Sequence, residues 1–540
     1  MQASFFVLYY GNLIRETKYM TEKPVWVQQF DRPAGTEIKH IAGHWYLYER
    51  LSVYDARLKR KRKKSGRMLG TITEDGFVQS RRISQTQTLA DMDIENREFG
   101  ATAFLLSLTE GMRARLERHF PKCWRELYAL ALLKCKEQPP FKRMDFHYRT
   151  SFLEQVLGPV DFSPKTLQEL LCRAGMDRDA IRSYMKEDLP ADGIVMFDGH
   201  RIISASRNLE YARVGYDSRR RFLPQVNLLY MFSVSDGRRL PVFYKQFAGD
   251  VTDVTAFGDI VSDAGLSGGN VTVIADKGFE SDFNEELLDD SGLGYVIAVR
   301  RGCADVGEIP DRPEKYQKAF LFRGRAIYCN EYRGSAGNTY LYYDMSLAND
   351  EAADFICRHE KANAANEMKR EKEDARRKRG KGKLTQEEYD RLQPVDVAEA
   401  LQAHRANGTF ILKTNRTGLN CAQAYYLYKT RQDIEQAFKS YDDTLDASAS
   451  YMRDQYSFEA WLFINHLALQ MLYAVLQTIA DRELTAKYSF DDAMQFLKHI
   501  RANRIEGRWR ATKVTRQTME LCRKLDIELA DPEKLKGTLK

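Results

Sequence analysis

The spacing of hydrophobic positions changes along the chain, and each change predicts a different kind of structure. Residues 1–95 hold short aromatic-rich pieces, such as Phe5–Tyr10 and His44–Tyr48, without helical spacing, and this predicts a strand-rich region. From 96 to 190 the apolar positions recur every three or four residues. Phe104, Leu105 and Leu108 share one face, and Leu127, Leu130 and Ala131 repeat the pattern. Ser163 and Pro164 open a short amphipathic helix as cap and first-turn residue, and Asp177 opens another that runs through Met185. Two short helices joined at Gly175 suit a helix-turn-helix or an ordinary helical hairpin.

The period changes again after 190. Ile194–Phe197 is an apolar run ending at Asp198-Gly199, a hairpin signal, with Arg201–Ser204 continuing beyond it. Val226–Val234 and Leu240–Gln246 are predicted strands on either side of Asp236-Gly237. A helix over 254–264, a buried strand Val271–Ala275 ending at Asp276, a polar helix Ser281–Asp290 and a strand Tyr295–Arg300 follow. Hairpins first and helical crossovers afterwards predict a mixed sheet. Aspartate falls at the carboxyl end of its first and fourth strands.

Between 303 and 407 this pattern breaks. Strand-like pieces (Ala319–Phe322, Ala326–Cys329, Thr339–Tyr343) lead into a charged helical stretch, Arg358–Arg379, and a Lys/Gly segment, so the region reads as an insertion. Strand character returns at Gly408–Thr414, a helix begins near Gln423, and helices continue to the end. The expected divisions are 1–95, 96–190, a core in two parts at 191–302 and 408–475 around the 303–407 insertion, and a helical 476–540. Trp461–Leu476 is the most apolar stretch, but Asn465, His466 and Gln470 interrupt it, which predicts a buried core helix rather than a membrane span.

Charge adds little as a total and more as a pattern. Lysine and arginine number 83 against 76 acids, a net +7 that is modest for 540 residues. The bases cluster, however, near 57–67, 369–383 and 501–513. The first cluster reads either as a solvated loop or helix face or as a DNA contact. The eight cysteines show no CxxC spacing, which argues against a structural zinc site or a redox dithiol, and no secretory signal is evident. A cytoplasmic, nucleoid-associated protein without a membrane anchor is expected.

Three carboxylates then stand out. Tyr428, Arg431, Glu435 and Lys439 are spaced three, four and four, so an α-helix sets them along one face. Such a face is commonly a surface ladder, and Asp198 alone reads as a turn residue. Asp276 follows a buried strand with no hairpin partner directly after it. Two strand-end aspartates and a helix-borne glutamate can converge into an oxygen-only cluster suited to Mg²⁺ or Mn²⁺. Two such ions can activate a hydroxyl and stabilise the leaving oxygen of a phosphodiester.

With these residues in place, the chain resembles insertion-sequence DDE transposases with a ribonuclease H-like catalytic domain, in the group carrying a Tyr-x2-Arg-x3-Glu helix and a β-rich insertion. The resemblance rests on Gly193–Gly199 (GIVMFDG), Val273–Phe279 (VIADKGF), and Gly408–Asn415 (GTFILKTN) leading into Tyr428–Phe438 (YKTRQDIEQAF). It implies an α/β fold: a ribonuclease H-like mixed sheet with an inserted β-rich and helical region, flanked by helical N- and C-terminal regions. It implies that Asp198, Asp276 and Glu435 are catalytic and hold two Mg²⁺ or Mn²⁺ ions, and that Tyr428 and Arg431 meet DNA phosphate. The family pattern places a lysine seven residues after the glutamate. Here that position is Asp442, and Lys439 offers a cation one turn after Glu435 instead.

The expected activity is DNA cleavage at terminal inverted repeats followed by strand transfer into target DNA. A homodimer acting on double-stranded DNA is the expected assembly. A ribonuclease H-like nuclease without strand transfer, and an inactive DNA-binding copy, are the alternatives.

Overall fold

The computed structural model describes every residue except 1–21, 56–59, 82–93, 217–221, 236–237, 269, 335–336, 404–405, 432–447 and 540. Phe5–Tyr10, Arg57, Lys59, the Asp236-Gly237 turn, Glu435, Lys439 and Asp442 therefore lie outside the described residues. The chain divides into two units, one of residues 1–95 with 504–508 and the other of 96–503 with 509–540.

The first unit is built on an antiparallel meander of β1 (Thr36–Ile41), β2 (His44–Asp55), β3 (Arg60–Thr73) and β4 (Gly76–Gln79). Ala42 and Gly43 both take positive φ (50° and 83°), the backbone that a two-residue hairpin requires. Val27, Trp45, Leu47 and Ile72 close a small core against it. The basic run is thus neither loop nor helix, since Arg60–Lys64 is strand. Residues 51–54 of its pairing partner β2 and Arg60–Lys64 themselves are exposed, so neither face of this stretch is buried and the usual alternation of apolar and polar residues is not required.

After β5 (Glu95–Glu98) the second unit continues into helices that include Trp124–Glu137, Pro164–Met176 and Arg178–Lys186. A large mixed sheet follows, made of β6 (Gly193–Ile203), β7 (Arg213–Tyr216), β8 (Phe222–Ser235), β9 (Arg238–Ala248), β10 (Val271–Ala275), β11 (Gly294–Val299), β12 (Lys318–Phe322), β13 (Arg325–Arg333), β14 (Asn338–Asp344) and β15 (Thr409–Thr414). Its order is β12-β13-β14-β15-β11-β10-β6-β8-β7, with β9 also on β8. β10 pairs in parallel with both β6 and β11, and the other neighbours are antiparallel.

Two expectations change. Asp198-Gly199 is not a turn: β6 runs straight through it, because β8 offers an unbroken antiparallel partner from Val234 to Gln225. Glycine at 199 leaves room for the Asp253 carboxylate, which a Cβ there would meet at 2.8–3.0 Å and push aside. Region 476–540, expected to be helical, also carries two strands, Arg501–Ile505 and Arg508–Ala511. The strands within 303–407 extend the central sheet, since β14 pairs with β15, which pairs with β11.

The apolar helix Gln455–Asp481 is long and apolar enough to cross a bilayer, yet it is mostly buried inside this unit. It packs on Pro164–Met176, Trp124–Glu137 and β9. Gly175 makes the first contact possible, because a Cβ there would fall 1.8 Å from the Tyr456 carbonyl oxygen. The same helix buries Glu459, whose carboxylate accepts a hydrogen bond from Gln246 on β9 and lies 3.5 Å from the Arg178 guanidinium. Burial outweighs Arg178 and pushes this carboxyl up to about 7.

The folded chain therefore keeps a proton on Glu459 that the unfolded chain releases near the ordinary glutamate value. Stability should fall as pH rises through that interval, by as much as about 3 kcal/mol. Glu459→Gln should flatten this decline when urea midpoints are compared at pH about 5 and about 8. A variant with the parent's pH slope would show that Glu459 is already ionised in the fold.

Candidate active site

Parallel pairing of β6 with β10 sets Val271 against Gly193 and Ile274 against Met196, a constant offset of 78. Continued by two residues, the same offset sets Asp276 beside Asp198. Neighbours in register on adjacent strands point to the same side of the sheet. The sequence separation of the two aspartates is therefore the strand register itself.

Each carboxylate is held by its own backbone. The Gly199 N–H donates to Asp198 Oδ1 at 3.0 Å, and the Gly278 N–H donates to Asp276 Oδ1 at 3.3 Å. β10 ends at Ala275, and Phe279 N–H returns to the Asp276 carbonyl at 3.0 Å, so Asp276 sits on a tight turn at the strand exit. Asp198 is 18% exposed and Asp276 32%.

The third described member is Arg431. Helix Cys421–Lys429 begins with a reciprocal Asn420–Gln423 cap and buries Cys421, Ala424 and Tyr425 toward the sheet. Tyr428 lies in its last turn and stacks against Phe410 of β15, with ring centroids 6.2 Å apart. Arg431 follows the helix end, where its Nη2 lies 3.0 Å from Asp276 Oδ2 and 3.4 Å from Asp198 Oδ1. One guanidinium thus bridges both aspartates. Burial pushes the Asp198 carboxyl above its ordinary value, Arg431 opposes that shift, and Asp276 adds to it.

The structure brings Asp198, Asp276 and Arg431 together and leaves Tyr428 in the last turn of the helix that ends before Arg431. Glu435 and Lys439 lie outside the described residues. Of the described residues on either side, Arg431 reaches Asp198, and Ser448 and Ser450 exchange backbone hydrogen bonds with Ile203 at the far end of β6 (3.0 and 2.9 Å).

Sequence reasoning missed two features. Asp253, at the start of helix Asp253–Ala264, is a further acid that feels the charge of Asp276. Burial raises its carboxyl, with Arg201 opposing. A cleft of about 530 Å³ also opens beside Asp276, lined by Lys277, Arg300, Arg301, Tyr428 and Lys429 among others. Lys429 lies over the Phe410 ring, and Arg301 is fixed by Glu351 at 2.5 Å and the Thr409 carbonyl at 2.7 Å. Arg300-Arg301 follows β11, the parallel neighbour of β10, so the strand-end position was the available signal.

Two adjacent carboxylates offer the oxygen ligands that a hard divalent cation favours. Among the described residues, no three His, Cys, Asp or Glu side chains are grouped closely enough to hold a metal by themselves.

Residues 191–471, just over half of the chain, match the transposase DDE domain family, and the chain belongs to that family. No curated protein matches it. Among solved structures, it aligns with a cryo-EM structure of a piggyBac transposase synaptic complex with hairpin DNA. That alignment has a TM-score of 0.36 and 11% identity, and covers 69% of this chain and 70% of the other.

Replacing Arg431 by glutamine leaves two adjacent carboxylates without their shared cation. Such losses cost about 3–5 kcal/mol in buried settings and less at this partial exposure. Arg431→Gln should lower the thermal midpoint in EDTA and widen the gap between EDTA and Mn²⁺ melts. A gap equal to the parent's would show that Arg431 is not the counter-ion of the pair.

Proposed function

We propose that this transposase uses Asp198, Asp276 and Glu435 as the acids of a metal-dependent phosphodiester site that cuts DNA at terminal inverted repeats and joins the freed 3′-end to target DNA. The observation that carries the reading is the in-register pair of Asp198, within β6, and Asp276, at the exit of the parallel strand β10. Support for Glu435 is its place in the Tyr-x2-Arg-x3-Glu pattern, four residues after Arg431, which reaches both aspartates. The succession β6, β8, β9, helix, β10, helix, β11 suits a ribonuclease H-like core in two parts, 191–302 and 408–475, around the 303–407 region.

Mg²⁺ or Mn²⁺, held as two ions by these carboxylates, would supply an activated hydroxyl and a stabilised leaving oxygen. The protein's own groups do the rest. Lys277, Arg300 and Lys429 give the cleft beside Asp276 a positive wall that suits a phosphate backbone. Tyr428 and Arg431 border the same aspartates, and a planar guanidinium suits phosphate oxygens. Arg431 can turn from the aspartates to DNA once their charge is neutralised by other means, and Lys439 offers a further cation on the same segment. Each end of the element needs one such site, which favours a homodimer on double-stranded DNA, with the terminal repeats read by residues before 190.

Incubation with Mn²⁺ and a plasmid bearing the flanking repeats tests this reading. Asp198→Asn, Asp276→Asn and Glu435→Gln should each lower cleavage by at least about 10⁴-fold, the scale on which a cooperating catalytic set fails. Cutting at the parent rate by all three would sink the assignment. Nicking by the parent without joining would favour a nuclease.

Asp442 stands where the family pattern has lysine, and an acid repels phosphate. Asp442→Lys should tighten end binding and steepen the salt dependence of log K by about 0.9 per added phosphate contact. Unchanged binding would show that this position does not face the DNA.

A further inference from the structure

The meander of the first unit has an arm that its sheet does not use. β1 pairs with β2 only as far as Glu49, and β4 pairs with β3 only over Gly70–Thr73. Beyond these limits, among the described residues, strands 50–55 and 60–65 pair with each other, from Arg50 opposite Ser65 to Asp55 opposite Arg60, and only at the base do the Arg50 N–H and the Ser65 hydroxyl also donate to the Gly35 carbonyl and to Glu37. Six pairs at about 3.3 Å each make a free two-stranded ribbon about 20 Å long. Isolated ribbons of this kind are marginal in water, and this one buries no core of its own: Leu51, Val53 and Tyr54 are 46%, 48% and 62% exposed.

Its charge is one-signed. Arg60, Lys61, Arg62, Lys63 and Lys64 are all exposed, and among the described residues none of the five makes an ion pair. Arg67, nearer the base, is paired with Glu49 at 2.6 Å. Alternation along the strand puts Arg60, Arg62 and Lys64 on one face and Lys61 and Lys63 on the other. Leu51 and Val53 lie opposite Lys64 and Arg62, while Ser52 and Tyr54 lie opposite Lys63 and Lys61.

Charge on both faces decides among anionic partners. A flat anionic surface is met by one face and leaves the other cations unused. A groove with phosphates along both walls is met by both faces at once. The major groove of duplex DNA, about 12 Å wide, admits a two-stranded β-ribbon, and a ribbon about 20 Å long spans about six base pairs.

We infer that the Arg50–Asp55/Arg60–Ser65 ribbon is a DNA-binding arm that enters the major groove of duplex DNA and grips the phosphates on both walls. This contact is separate from the carboxylate site and rests on the DNA-acting reading above only for its choice of polyanion. The arm supplies salt-sensitive grip, and Leu51, Val53 and Tyr54 gain apolar contacts with base edges and sugars.

The test uses the full chain, a short generic duplex and a salt titration from about 50 to 200 mM without divalent metal. A variant carrying R60Q, K61Q, R62Q, K63Q and K64Q should bind at least about 100-fold more weakly at the low-salt end. Its plot of log K against log salt should be shallower by about 3 to 4, since each lost phosphate contact removes about 0.9. Its melting midpoint should match the parent's, because the arm lies outside the core. A charge-preserving variant, R60K with R62K, should retain the parent slope.

Parent-like affinity and slope in the five-fold variant would overturn the arm. Equal binding of a single strand, with equal loss in the variant, would overturn the choice of a duplex groove. Metal-dependent nicking by the parent separates the two readings. A parent that cuts while the five-fold variant binds normally sinks only the arm, and a parent that never cuts while the variant loses binding sinks only the carboxylate site.

Discussion

Parallel pairing between β6 and β10 is the constraint on which the site depends, because two acids of like charge have to be brought together against their own repulsion. Backbone hydrogen bonds between the strands fix the offset at 78 residues from Gly193 to Met196, well before either aspartate is reached. The apolar side chains Val195, Met196, Phe197, Val273, Ile274 and Ala275 are fully buried, so the register is set by the core. Both faces of these strands are buried, so a slip of one residue would disrupt the packing on each side of the sheet. The charged ends follow wherever the buried strands place them, and the core thus bears the electrostatic cost of the pair.

What surrounds the pair follows from that placement. Two carboxylates half-removed from water need a counter-charge, and Arg431 supplies it from the end of the Cys421–Lys429 helix. The helix is held by Tyr425 among Phe322, Phe410 and Tyr342, which belong to β12, β15 and β14. The strands of 303–407 therefore have a part in the site although none of their acids enters it. They widen the sheet and build the aromatic seat under the helix that delivers Arg431.

The legible part of this arrangement was whatever a local pattern encodes. β10 was readable to the residue because Val271–Ala275 is a short buried run with a clear stop, and Helix Asp282–Asp290 was readable because Ser281 caps it. Asp198 and Asp276 were identifiable as strand-borne acids, whereas the helical face expected to carry both Tyr428 and Arg431 stops at Lys429, and Arg431 reaches the aspartates from beyond the helix end. The turn expected at Asp198-Gly199 was wrong for a non-local reason. Asp-Gly favours a hairpin in isolation, but β8 supplies a continuous partner, and the glycine answers to Asp253, 54 residues away. Asp253, Arg300 and Arg301 were missed for the same reason, since nothing near them in sequence reveals which strand end lies alongside.

The basic run at 60–64 shows the converse limit. A strand is normally recognised by alternation, and alternation records that one face is buried. A ribbon paired to nothing but itself has no buried face, so its sequence is free to carry a cation at every position. The absence of pattern was read as loop or helix, whereas it reflects a strand without a core. The same physics leaves such a ribbon poorly supported by its own contacts, with like charges repelling along its length. A sequence that keeps five successive cations there retains a local electrostatic penalty that only an anionic partner relieves.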